Sequence, residues 1–140
     1  MMYRTGAVCA ATGVSAAKLG RWQDRKTLKP SRQDKASSGS GDHRLFSRAT
    51  VNKIAIAKKL VDLGIGATPA NNAASLFNSL FAFGRTLLVF KPTGAQIANA
   101  GFNDSLTDIC GRPFESAIIV DIGHIIMAVD QALISTTKDI

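Results

Sequence analysis

Lys18, Arg21 and Arg25 stand three and four residues apart in the chain. On a helix that spacing brings three cations onto one face. Cations arrayed in this way suit a polyanion. An arginine fork can pair bidentately with guanine, at about 1–3 kcal/mol of discrimination. Alternatively it can hold phosphates, which gives affinity without sequence choice. Both roles stay open for Lys18 and Arg21. Ser15 opens the same segment, and Ala16 and Ala17 lie where small side chains could meet thymine methyls. A second basic group follows: Arg32, Lys35 and Arg44, with His43 beside them, fit a hairpin that grips phosphates or the minor groove. The candidate DNA contacts are thus Ser15, Ala17, Lys18, Arg21, Arg32, Lys35, His43 and Arg44. Trp22 is three residues from Leu19 and shares its face, which favours a core role over a base-stacking platform.

Other chemistries find little support. Cys9 and Cys110 fall in different halves and form no CxxC pair. Cys110 and His124 have no further ligands around them in sequence, so a buried thiol is the expectation and no metal site is assigned. Asp121 and Asp130 are nine apart with no partner for acid–base work, and no glycine-rich loop is present to cradle phosphates. No catalysis and no cofactor are expected. Two cysteines without a leader segment fit a reducing, cytoplasmic setting. The most apolar stretch, 117–128, is broken by Asp121 and His124 and falls short of the roughly 20 residues a bilayer span needs, so no membrane partner is expected.

Charge is divided unevenly. The net charge is +7 over 140 residues. Residues 1–60 hold thirteen Lys and Arg against three Asp, a net +10, whereas residues 61–140 hold four against seven acids, a net −3. A basic half of this kind gathers near polyanions.

These residues need elements to hold them. Residues 4–11 fit a short helix with Thr5 as N-cap, and Gly13 supplies the turn. Ser15 caps a second helix running to about Asp24, with Val14 able to pack back onto Leu19 and Trp22. Extended pieces around 28–32 and 44–46 flank a Ser/Gly-rich tip at 35–42, the pattern of a basic hairpin or wing. Ser47 caps a third helix that stops at Gly64. Thr68-Pro69 starts a fourth, with Ala70, Ala73, Ala74, Phe77 and Phe81 inward, ending at Gly84. Then come a strand at 86–90, a turn at 91–94, one or two helical turns at 95–100, another at 104–110 and a strand at 116–120. Ile122, Ile125, Ile126, Val129 and Leu133 predict a final amphipathic helix.

The order Gly13-Val14-Ser15, Leu19-Gly20-Arg21-Trp22, Pro30-Ser31-Arg32 and Arg44-Leu45-Phe46-Ser47 resembles the DNA-binding domain of MerR-type transcriptional regulators, a winged helix-turn-helix, over about half the chain. The resemblance implies double-stranded DNA as partner. The chain departs from the family pattern at Gly20, where an arginine usually follows the helix leucine. Its hairpin tip is long, and Gly64, Gly66 and Pro69 interrupt any dimerising coiled coil. The paired metal-binding cysteines of the metal-sensing members are absent. Neither the family's effector nor its mode of dimerisation therefore carries over.

The expected protein is α+β. A MerR-like winged helix-turn-helix at 1–70 is followed by a connecting helix at 71–83 and a small α/β domain at 84–140 for dimerisation or effector binding. The expected function is that of a non-enzymatic, sequence-specific regulator, homodimeric through its C-terminal half, with the effector left open. Two alternatives stand beside it. One is an architectural DNA protein of the excisionase or terminase-small-subunit kind. The other is a DNA-targeted module with a small-ligand-binding C-terminal domain.

Overall fold

The computed structural model describes residues 2–28, 34, 44–77, 85–100, 105–111 and 115–138. The chain runs β1 (Met2–Arg4), α1 (Thr5–Thr12), α2 (Ala16–Asp24), β2 (Leu45–Ser47), α3 (Arg48–Asp62), α4 (Ala67–Ala74), β3 (Arg85–Lys91), β4 (Gly94–Ala100), α5 (Leu106–Cys110), β5 (Ile118–Asp121) and α6 (Ile122–Lys138). The fold is α+β: an N-terminal helix-turn-helix with the two-stranded β1–β2 sheet, followed by a small α/β region with the three-stranded antiparallel sheet β4–β3–β5, among the described residues.

α3 is the central helix. Val51, Ile54, Ala55, Ile56, Ala57 and Leu60 are all buried, so its middle is covered on several sides, while Lys59 and Asp62 near its end stay exposed. α1, α4, α6 and β2 surround it. Its start is fixed by Ser47, whose hydroxyl accepts from the Thr50 N–H at 3.3 Å, the expected N-cap. Its end is a Schellman closure. Ile65 N–H reaches Leu60 O at 3.0 Å and Gly64 N–H reaches Val61 O at 3.0 Å. Gly64 takes φ +99 there, a conformation that costs other residues steric strain.

Several expectations are corrected. α1 is preceded by Arg4 as N-cap and has no side-chain cap, so Thr5 lies inside the helix. α4 begins at Ala67, one residue ahead of the expected start, with Gly66 as N-cap and Pro69 in its first turn as expected, but it closes at Ala74 with Ser75 as C-cap, well before Gly84. The strand leaving the 35–42 tip is Leu45–Ser47, and it pairs antiparallel with β1, Met2 opposite Ser47 and Arg4 opposite Leu45. Residues 29–33 and 35–43 lie outside the described residues, as do 78–84, including Phe81 and Gly84.

The largest correction is at 95–100, which forms strand β4 and not helical turns. Lys91 and Gly94 face each other across Pro92-Thr93, so β3 and β4 form a tight hairpin. The segment alternates: Ala95 and Ile97 pack toward the main core, while Ala98 packs toward Ile109 and Cys110 of α5. Pairing along all of β3 overrides the helical tendency of the alanines.

β3 lies between β4 and β5 and is buried on both faces, with Leu87, Leu88 and Val89 at 4% exposure or less. One face meets α5; the other meets α6. Asp121 caps α6, its Oδ1 accepting from His124 N–H at 3.0 Å. Ile122, Ile126, Val129 and Leu133 form the buried stripe of α6, which packs across α1 and α3 as well as β3. One cluster of buried side chains thus runs from Tyr3 and Val8 through α3 to Leu133.

Candidate nucleic-acid interface

α1 and α2 form the helix-turn-helix. Gly13 turns the chain at φ +78, its N–H closing α1 on Cys9 O at 2.9 Å. Thr12 tightens the corner: its hydroxyl donates to Val8 O at 2.8 Å and accepts from Val14 N–H at 3.3 Å. Val14, buried, pins the turn to the core. Ser15 accepts from Lys18 N–H at 3.1 Å, so its first role is that of an N-cap.

α2 then divides by face. Leu19 and Trp22 are buried; the indole is a core side chain. Ala16, Ala17, Arg21, Asp24 and Arg25 are exposed, and Lys18 and Gly20 are half-exposed. The predicted cationic stripe therefore faces solvent alongside a firmly anchored apolar face, with Trp22 one turn from both Lys18 and Arg25. α2 ends in a second Schellman closure, Thr27 N–H to Trp22 O at 2.9 Å and Lys26 N–H to Gln23 O at 3.1 Å. Lys26 takes the left-handed position at φ +55.

The stripe continues into a cleft of about 330 Å³ lined by Lys18, Arg21, Trp22, Arg25 and Thr27 from the α2 side and Ala67 and Thr68 from α4. Ala67 and Thr68 are the first residues of α4, and Gly66 offers no side-chain cap. The opening N–H groups of a helix carry partial positive charge and suit an anion. The motif pattern of α2 does not signal this contribution from α4, because it comes from a segment some forty residues downstream.

Arg44 is half-exposed, and its guanidinium donates to Gln23 Oε1, which ties the start of β2 to α2. Ser15, Ala17, Lys18, Arg21 and Arg44 thus gather on and beside one helix. Arg32, Lys35 and His43 lie outside the described residues. One residue not singled out beforehand is Asp34. Its carboxylate accepts from Ser47 N–H and from the Thr50 hydroxyl, both at 2.6 Å, at the positive end of α3. An isolated acid between basic residues carries no periodic signal that would have marked it.

Burial pushes the Cys9 thiol up, and Cys110 is fully buried. Among the described residues no group of three His, Cys, Asp or Glu is placed to hold a metal ion, and no helix is long and apolar enough to cross a membrane. Residues 3–68 match the model of the MerR HTH family of regulatory proteins. No curated protein matches the chain.

Proposed function

With residues 3–68 a MerR-type helix-turn-helix domain, we propose that the protein is a sequence-specific regulator of transcription that reads double-stranded DNA with α2. The carrying observation is the α2 stripe of Lys18, Arg21 and Arg25, presented beside buried Leu19 and Trp22 and leading into the cleft at the start of α4. A recognition helix needs this division, since it must be fixed to its own domain while it offers donors to a groove. Exposed Ala16 and Ala17 suit apolar contact with thymine methyls. The α4 N–H groups suit a backbone phosphate that sets the register. The protein acts by binding and not by catalysis, and it works in the cytoplasm as a homodimer joined through its C-terminal half. Exposed Met127 and Ile134 on α6, seven residues apart, support that pairing.

Selecting bound duplexes from a random pool tests this reading. Enrichment of a paired, palindromic site is the expected result and would report the half-site spacing as well. No enrichment over random sequence, with duplex binding intact, would favour an architectural role. Bend angle would then be the next quantity to measure.

A further inference from the structure

Two consecutive residues at the start of α3 are held from different parts of the chain. Ser47 gives its N–H to Asp34, which also takes the Thr50 hydroxyl. Arg48, the next residue, is ion-paired with Asp130 of α6. β2 runs into this turn without an intervening residue. Arg44, directly ahead of β2, holds Gln23 of α2. A continuous run of covalent and polar links therefore joins α6 to α2 through the first turn of α3.

We propose that Asp130 is a positioning residue for DNA binding: paired with Arg48, it fixes the first turn of α3 and, with it, the strand whose Arg44 braces α2. The proposal rests on the DNA-binding reading above. Asp130 lies on the helix that packs over α1 and α3 and lines no part of the α2 cleft. Both partners of the pair are more than a third exposed, so the pair contributes little to stability as such. Its consequence is geometric. A site that must meet bases and phosphates at once loses affinity when its parts shift relative to one another.

The sign of the charge makes the test sharp. Removing an acid from a protein that binds a polyanion strengthens binding by long-range electrostatics alone; loss of positioning weakens it. The experiment measures affinity of the full chain for one duplex at fixed salt, well below each variant's melting temperature, for wild type, Asp130→Asn, Asp130→Arg and the exchanged pair Arg48→Asp with Asp130→Arg. Asp130→Asn is expected to weaken binding by about five- to tenfold, the low end of coupling between distant sites. Asp130→Arg should weaken it further, despite two added positive charges. The exchanged pair, with wild-type net charge, should recover most of the loss. Asp130→Asn binding as tightly as wild type, or more tightly, overturns the proposal alone. A wild-type chain that binds no duplex overturns the DNA-binding reading and the proposal with it.

Discussion

Asn52 lies one turn below Arg48 on α3, 1% exposed, and among the described residues neither its Oδ1 nor its Nδ2 has a hydrogen-bond partner. An unpaired buried amide costs about 1–3 kcal/mol. Asn52→Leu, which keeps the same branching and number of side-chain heavy atoms, is therefore expected to raise stability by about 1–2 kcal/mol, read as an upward shift in melting temperature. A lower melting temperature would show that the amide is satisfied in solution. Gly20 and Lys26 present the reverse of normal preference. A glycine stands inside α2, and a lysine holds the left-handed position after it. A Cβ at Gly20 meets nothing within 4 Å, so Gly20→Ala should stabilise the fold by about 0.5–1 kcal/mol. Lys26→Gly should relieve strain of similar size, and a duplex-affinity measurement beside each melt separates the stability effect from the loss of a cation. Burial of the Cys9 thiol gives a pH dependence of known sign. Its folded pKa lies above the unfolded value, so this contribution to stability is full below the unfolded pKa and is lost as pH rises through the folded one.

At the scale of elements, α6 is the piece that joins the two halves. It brings Ile122, Ile126, Val129 and Leu133 into the core built by α1 and α3, each worth about 1.5–3 kcal/mol of burial. Ile126→Ala is expected to cost about 2–5 kcal/mol. Because the core is continuous, that loss should lower one shared transition, with Trp22 fluorescence and far-UV circular dichroism melting together. Two separated transitions would show that the head folds without α6. α2 is readable in the sequence through its cap, Ser15, with Leu19 and Trp22 behind it, and α6 through its long apolar period from Ile122 to Leu133. The sequence does not show where α6 docks, since a period names the buried face and not what covers it. β1 escaped notice because three residues are too few to carry a period of two. The 95–100 strand is not legible in the sequence because its alanines favour a helix locally, while the hairpin with β3 that decides the matter is a tertiary fact. The role of Asp34 is not legible in the sequence because capping at a distance leaves no spacing to recognise.

At the scale of the molecule, the division of charge matches the division of roles. The +10 half carries α2, the cationic wall of the cleft and Arg44. The −3 half carries the three-stranded sheet and α6, whose outward residues His124, Met127, Gln131 and Ile134 are exposed and include no acid or base other than the histidine. The molecule offers a cationic helix to its partner while the remainder of the fold steadies it. The measurement that bears most directly on this account is a salt titration of binding to duplex DNA, for wild type and for a variant with Lys18, Arg21 and Arg25 all changed to Gln. Each phosphate neutralised adds about −0.9 to the slope of log affinity against log salt. Wild type is predicted to bind at low salt with a slope of about −3 or steeper, and the triple variant to lose up to about 3 units of that slope. No duplex affinity at low salt, or a slope that stays flat or does not change with the three substitutions, would contradict it.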